Sequence, residues 1–371
     1  MSNLGLKFCP LIVYIHIPFC HRICPYCSFY KHTPGGTDQQ AFIKAVIEEA
    51  SRASADHHLA DITTLYLGGG TPSMLSPSHL TELFEGLHDA LPLENTHITL
   101  EANPATFGVS KAKLFKELGV NRVSLGIQSF AAPVLKTLGR EHTPEEAAEA
   151  VQILQQAGLD EVNIDLMFSV PGQTIEHWQH SLDQAISLNP DHISAYNLTY
   201  EEDTPFFDKL RHHEDQDINA DMFSLADEKL IDAGFLHYET SNYARPGKES
   251  RHNLAYWKGE DYLGLGPSAV STVAANRWTN LPDTARYIQA IATLGHAKSD
   301  QEIISPEAFR TERIALLLRT TKGLPECYLS DSPDGSAEQL IANKLAKIED
   351  QHLRLINNGP MLVDAIAAEL L

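Results

Sequence analysis

LIVYIHIPFCHRICPYCSFY (residues 11–30) joins an apolar, β-branched run to a short loop carrying Cys20, Cys24 and Cys27. The run at 11–17 reads as a strand buried on both faces, the usual state of a strand in a parallel sheet. Three thiolates in one loop are an unusual number: structural zinc is usually held by four ligands in pairs, and a redox dithiol needs two. A [4Fe–4S] cube held by three cysteines keeps one iron without a protein ligand, and that iron is open to an outside molecule. A zinc ion completed by His16 or His32 is the competing reading.

Downstream, five more strand-like runs follow at 62–70, 97–104, 122–130, 161–172 and 192–200. Amphipathic, helix-period stretches at 39–54, 77–90, 110–118, 144–157 and 174–188 separate them. This βα alternation predicts a parallel sheet with right-handed crossovers, curling into a full or partial barrel. Chemistry in such folds gathers at the carboxyl ends of the strands. The notable polar groups sit there: the cysteines after the first strand, GGGTP (68–72) after the second, then Glu101, Gln128 and Asp165.

A further helix at 217–233 leads to a Gly- and aromatic-rich section, RHNLAYWKGEDYLGLGPSA (251–269). Beyond residue 300, helices are expected at 305–318 and 337–349, then a hairpin turning at Asn358-Gly359 between two apolar runs. Helices followed by a hairpin suggest a small winged-helix-like domain, read here as a cap or partner-binding module rather than a DNA reader. The expected division is a barrel over 11–245, a connecting segment over 246–300 and the C-terminal helical domain over 301–371.

With 371 residues and 43% hydrophobic content the chain suffices for one large α/β domain and a small one. Its 28 Lys and Arg against 49 Asp and Glu leave a net charge of −21, which repels phosphate backbones and argues against nucleic acid as a partner. The five cysteines, three of them clustered, do not resemble a disulfide framework, so a reducing compartment is expected. The run at 11–19 is too short to span a bilayer and lacks a basic lead or cleavage site, so the expected location is the cytoplasm.

Several residues stand out and each has a plain structural alternative. Phe19, Tyr26 and Phe29 are placed to shield a cluster. The glycines of GGGTP admit a close backbone approach to a ligand, or simply make a turn. Glu101 and Asp165 suit ribose or amino-acid groups, Gln128 a polar edge and Arg140 a carboxylate; each is equally a satisfied structural polar residue. His252 is a candidate axial ligand for haem iron with Tyr256 and Trp257 flanking a porphyrin, or a loop histidine among packed aromatics. Cys9-Pro10 is read as a strand cap in preference to a haem ligand, and His57-His58 and His212-His213 as surface residues.

CxxxCxxC after a first strand is the signature of radical S-adenosylmethionine (SAM) enzymes, whose cluster electron splits the SAM sulfonium to a 5′-deoxyadenosyl radical. YIHIPFCHRICPYCSFY, GGGTP, LEANP, GIQSF, LGREHT, NIDLMFSVPG and HNLAYW occur in order. In them the chain resembles, over nearly its whole length, the oxygen-independent coproporphyrinogen III oxidase-like radical SAM family. The resemblance is to the haem-chaperone branch rather than to the porphyrinogen dehydrogenases. Phe29 stands where the dehydrogenases have a further cysteine, their long N-terminal extension has no counterpart in the 19 residues before Cys20, and 252–257 satisfies HNxxYW, a chaperone-branch hallmark associated with haem.

The resemblance implies an α/β fold, a radical SAM partial (β/α) TIM-like barrel with a C-terminal helical, winged-helix-like domain. It implies cluster ligands Cys20, Cys24 and Cys27, and SAM contacts at Tyr14, Tyr26, Gly69, Gly70, Thr71, Glu101, Gln128, Arg140 and Asp165. His252 becomes the haem-binding candidate. Val270 departs from the pattern, since many chaperone-branch members have histidine after the GPSA segment. The implied function is to bind haem, one [4Fe–4S] cluster and SAM, and to pass haem to acceptor haemoproteins, those of the respiratory chain among the candidates. The rival is a coproporphyrinogen III dehydrogenase, or another radical SAM enzyme acting on a tetrapyrrole.

Overall fold

The computed structural model describes residues 11–210, 216–333 and 335–371. Cys9 and His212-His213 lie outside them. The elements in chain order are β1 (Leu11–Ile17), α1 (Gln39–His57), β2 (Ile62–Gly69), α2 (Pro77–Ala90), β3 (His97–Ala102), α3 (Val109–Glu117) and β4 (Arg122–Gln128). Next come α4 (Ala132–Thr137), α5 (Pro144–Gln156), β5 (Glu161–Phe168), α6 (Ile175–Ser187), β6 (His192–Asn197), α7 (Pro205–Leu210) and α8 (Gln216–Asp232). The chain continues through β7 (Leu236–Glu239), β8 (Asn242–Ala244), α9 (Arg251–Trp257), β9 (Tyr262–Leu265), β10 (Val270–Val273), β11 (Asn276–Asn280), α10 (Thr284–Leu294) and β12 (Lys298–Ile303). It ends with α11 (Pro306–Leu317), β13 (Leu324–Pro325), α12 (Ser336–Ala342), β14 (Ala346–Glu349), β15 (His352–Leu355) and α13 (Val363–Glu369).

Two compact units share these elements. The first takes residues up to Leu125, Gln152–Asp160 and Glu260–Ile303; the second takes Gly126–Val151, Glu161–Gly259 and Ile304–Leu371. In the first unit β1, β2, β3 and β4 run parallel, as the βα alternation requires. Ile12, Val13, Ile15 and Ile17 of β1 are fully buried, which explains the unbroken apolar run. Helices α1 and α2 start where Asp38 and Ser76 accept backbone N–H bonds from Ala41 and His79.

The segment expected to connect the two domains carries α9 and α10 together with strands that join the sheet. β9 pairs in parallel with β1, and β10, β11 and β12 extend it as an antiparallel ribbon. YLGL is a short run whose pairing with β1 is long-range, so local pattern understates it.

In the second unit β5 and β6 are parallel, and β8 and β7 continue antiparallel from β6. The cap of α6 is a reciprocal box between Thr174 and His177. The C-terminal part packs Ile314, Leu318, Leu324, Leu340, Leu353, Ile366 and Leu370 into one apolar cluster. Its sheet has the order β13-β15-β14.

Two expectations fail there. The helix proposed for 337–349 stops at Ala342, and 346–349 is a strand. The hairpin is not at Asn358-Gly359 but at Asp350-Gln351, where Glu349 faces His352 and both turn residues adopt positive φ (51° and 61°). That is the geometry of a two-residue primed turn, which matches strand twist. Gly359 instead precedes α13, because Met361-Leu362-Val363 enters a helical segment whose Val363 packs in the core.

Candidate functional site

The period-two geometry of the first unit puts Tyr14 and His16 of β1, Tyr66 and Gly68 of β2 and Glu101 of β3 in neighbouring registers on one face. Their bonds form a chain. His16 Nε2 lies 2.7 Å from the Tyr30 carbonyl, so it carries the proton; Nδ1 then accepts from the Tyr14 hydroxyl at 2.9 Å. Burial pushes the His16 pKa down to about 4, so the imidazole is neutral. Both nitrogens are committed. His32 is committed likewise, to the Thr33 carbonyl and the Thr284 hydroxyl, each at 2.8 Å. The two histidines considered as completing a zinc site with the cysteines therefore serve the scaffold.

The cysteine loop is sewn to the end of β1. Cys20 N–H donates to the His32 carbonyl (3.0 Å) and His32 N–H to the Pro18 carbonyl (2.9 Å), closing the intervening residues into a compact excursion. Within it Cys27 N–H donates to the Cys24 carbonyl, and Lys31 Nζ donates to the Cys27 carbonyl. Cys20, Cys24 and Cys27 are all reduced and half-buried. Burial pushes the Cys20 and Cys27 thiols up; for each, the nearby sulfurs add to the rise and Lys31 opposes it. The Thr71 hydroxyl donates to Cys20 Sγ at 3.7 Å. Among the described residues no three His, Cys, Asp or Glu side chains surround one single-ion position.

Aromatic shielding differs from expectation. Phe19 is in the core against Phe42 and the His32 ring, at centroid distances of 5.1 and 5.4 Å, while Tyr26 is half-buried and Phe29 is 67% exposed. The odd-even alternation of β1 carries Phe19 inward with Ile15 and Ile17, and leaves Phe29 on the excursion.

GGGTP lies across this arrangement. Gly69 has φ of +104°, and a Cβ there would lie 2.4 Å from the His16 ring; a Cβ on Gly70 would lie 2.7 Å from the Pro18 and Phe19 backbone. Their amides are already engaged: Gly70 N–H with the Ile17 carbonyl (2.7 Å), Thr71 N–H with the Phe19 carbonyl (2.8 Å) and Gly69 N–H with the Glu101 carboxylate (3.1 Å). Tyr66 also donates to Glu101, at 2.9 Å. Asn103 donates to Thr71 Oγ1 at 3.1 Å, fixing the hydroxyl that faces Cys20. The first unit thus brings together Tyr14, Gly69, Gly70, Thr71, Glu101 and the three cysteines, with Tyr26 in the same excursion.

The remaining candidates belong to the second unit. Gln128, ending β4, has φ of +70°, a left-handed conformation that costs a non-glycine residue energy and is concentrated at functional sites. Arg140 donates to the Gly126 carbonyl at 2.6 Å, and His142 Nε2 bonds the Ile127 carbonyl at 3.1 Å. These side chains pin the end of β4. Asp165 accepts from Asn163 Nδ2 at 2.7 Å.

His252 lies in the first turn of α9, whose cap is Ser250 Oγ accepting from Asn253 N–H. Burial pushes its pKa down to about 4, leaving a neutral imidazole. Tyr256 is exposed, and Trp257 packs edge-on to it at 5.8 Å.

Sequence reasoning missed three supports: His16 behind Gly69, Tyr66 on Glu101, and Glu49 of α1. The buried Glu49 carboxylate accepts from Gly266 N–H (2.8 Å), Asn280 Nδ2 (2.7 Å) and Tyr287 OH (2.6 Å), holding the GPSA segment. A charged residue on the inner face of an amphipathic helix was the available signal. His57, read as a surface residue, is half-buried and stacks on Trp278 at 5.9 Å.

Residues 14–185 match the Radical SAM superfamily. The chain is 37% identical over 372 residues to the heme chaperone HemW of Mycobacterium tuberculosis (strain ATCC 25618 / H37Rv), covering 98% of this chain and 95% of that protein. It is 33% identical over 346 residues to heme chaperone HemW of Bacillus subtilis (strain 168), covering 92% and 91%. Against heme chaperone HemW of Escherichia coli (strain K12) it is 40% identical over 266 residues, covering 71% and 70%. Among solved structures, coproporphyrinogen III oxidase (HemN) from Escherichia coli, described as a radical SAM enzyme, superposes with a TM-score of 0.82 at 21% identity, over 98% of this chain and 90% of that one. At that identity the likeness establishes fold, and the α/β partial barrel expected from the strand alternation is the fold of this chain. With identities of 33–40% to several such proteins, this chain belongs to the HemW family of the radical SAM superfamily.

Proposed function

We propose that this protein is a haem chaperone that binds one [4Fe–4S] cluster, SAM and haem, and delivers haem to acceptor haemoproteins, those of the respiratory chain among them. The observation that carries the reading is the closed excursion bearing Cys20, Cys24 and Cys27, with Thr71 donating to Cys20 and with His16 and His32 both committed to other partners.

Three cysteines in one closed excursion, one of them accepting from a neighbouring hydroxyl, suit an iron–sulfur cluster, so Cys20, Cys24 and Cys27 are its ligands in this reading. The cluster supplies one iron without a protein thiolate, and a single electron. The chain's part is to receive SAM: Gly69 and Gly70 keep side chains out of the way, and Tyr66 and Gly69 hold the Glu101 carboxylate in place to accept from a donor on the ligand. Tyr14, Tyr26, Thr71, Gln128, Arg140 and Asp165 complete the proposed contacts.

Haem is assigned to His252. A neutral imidazole is what iron ligation requires, and burial holds His252 neutral at pH 7. Phe29, where a dehydrogenase would have cysteine, supports transfer over porphyrinogen oxidation, as do the names of the relatives. The barrel over 11–245, the connecting segment and the C-terminal domain from 301 are part of the same proposal, supported by the separate apolar cluster of the last 60 or so residues. A cytoplasmic location fits a reduced cluster; among the described residues no helix is long and apolar enough to cross a membrane.

The test is anaerobic reconstitution followed by haem titration and by incubation with coproporphyrinogen III, SAM and reductant. Haem binding without protoporphyrinogen is expected. Sustained protoporphyrinogen formation overturns the chaperone reading in favour of the dehydrogenase.

A further inference from the structure

Asp165 and the helix that carries His252 are joined by one buried hydrogen-bonded chain within the second unit. Ser250 N–H lies 3.1 Å from Tyr238 OH; Tyr238 OH lies 2.8 Å from His192 Nε2; His192 Nδ1 lies 2.6 Å from Asn163 Oδ1; Asn163 Nδ2 lies 2.7 Å from Asp165 Oδ1. Asn163 and His192 are register partners on β5 and β6. His192 is 0% exposed, Asn163 1%, Ser250 2% and Tyr238 6%.

The polarity of every link follows from its two ends. A carboxylate only accepts, so Asn163 presents its amide N–H to Asp165 and its carbonyl to His192. Ser194 also donates to that carbonyl, at 3.2 Å. His192 must then carry its proton on Nδ1 and accept at Nε2, so the Tyr238 hydroxyl donates there and its oxygen accepts from Ser250 N–H. The far end is a backbone amide, which cannot reverse. All four donors therefore point from α9 toward Asp165, an alignment in which each bond polarises the next.

We propose that Ser250, Tyr238, His192 and Asn163 are a positioning relay, which orients the Asp165 carboxylate for SAM and ties it to the first turn of the His252 helix. This rests on the assignment of Asp165 to SAM and His252 to haem. Tyr238, His192 and Asn163 touch neither ligand in this reading; they act through Asp165 and α9. The two ends impose this order on any satisfied chain, so the order alone marks no function; the residues at its ends do. Here the order ends on a residue assigned to one ligand and begins two residues before that assigned to the other.

The test has one arm that needs no ligand. With histidine labelled in nitrogen-15 and His192 assigned by the signal lost in His192→Gln, the spectrum of the full chain should show His192 in the Nδ1–H form. An Nε2–H form overturns the relay. In the second arm SAM affinity is read from the change in the paramagnetic spectrum of the reduced cluster, for Tyr238→Phe, Asn163→Asp and the double variant. Each single change should weaken SAM about tenfold, and the double variant no more than the worse single, because both break one chain. Should Tyr238→Phe fail to fold, Asn163→Asp alone carries the comparison. Unchanged affinity in the singles, or losses that multiply in the double, overturn the relay and leave the functional reading intact. A wild-type spectrum indifferent to SAM instead overturns the functional reading itself, and the relay's role with it.

Discussion

The Thr71 hydroxyl donates to Cys20 Sγ across 3.7 Å, and Asn103 Nδ2 holds that hydroxyl from behind at 3.1 Å. A donor on a ligating sulfur stabilises the more negative, reduced state of a cluster. Thr71→Val removes the donor and keeps the shape. The reduction potential of the reconstituted protein should fall by about 20–40 mV, the equivalent of one modest hydrogen bond for a one-electron couple. Redox titration followed by paramagnetic resonance is the check, and an unmoved potential would show that the Thr71 hydroxyl does not act on a cluster-bound sulfur.

Replacing any one of Cys20, Cys24 and Cys27 by Ala should abolish the cluster, taking iron from about four per chain to near zero. Cys327 is exposed, and Cys327→Ala should keep the full complement. Iron and sulfide analysis after anaerobic reconstitution decides. Full iron in Cys24→Ala would remove that residue from the set.

Gly69→Ala puts a Cβ at φ of +104° and 2.4 Å from the His16 ring. Left-handed backbone and contact with a buried, doubly bonded imidazole should together destabilise the protein by about 1–3 kcal/mol. SAM binding should weaken more than haem binding does. Urea unfolding and the two ligand titrations measure this; stability equal to wild type would mean that the loop is free to shift.

Glu49 supplies a pH dependence. Burial raises its pKa from 4.5 to about 7, against the lowering effect of its three donors. The folded state therefore holds an extra proton between pH 4.5 and 7. Stability from this group is fully present below pH 4.5, falls as pH rises through 7 and is flat above, a loss of about 3 kcal/mol at most. Glu49→Gln should abolish that slope. Denaturant midpoints at pH 5 and pH 8 for both proteins are the measurement; equal slopes would show that Glu49 titrates outside this window.

His252→Ala should lower haem affinity about tenfold or more and shift the Soret band, since a nitrogen donor is removed from iron. Cluster iron should be unchanged. Haem titration of the cluster-loaded protein is the check, and an unaltered spectrum would assign the axial ligand elsewhere.

Much of this molecule is legible in its sequence because the deciding signals are local. The unbroken apolar runs, the helix-period stretches between them and three cysteines at fixed spacing each declare themselves within a few residues. Thus β1 to β6 fall where the runs are, and the cysteine loop follows β1. The C-terminal hairpin shows where local reading fails. Asn358-Gly359 is the better turn dipeptide, yet Asp350-Gln351 makes the turn, because Leu353 and Ala346 are buried in one core and Val363 belongs to a helix.

What the sequence by itself determined is the parallel α/β framework, the three cysteines in one loop after β1, and the places of Gly69, Glu101 and Gln128 at or near the ends of β2, β3 and β4. Tertiary structure alone decided which polar groups are spoken for. That His16 backs Gly69, that Glu49 clamps Gly266 across more than 200 residues, and that His192 bonds both Asn163 and Tyr238 all depend on partners distant in the chain. A buried donor or acceptor must find a partner wherever the fold supplies one, and no local pattern records which partner that is.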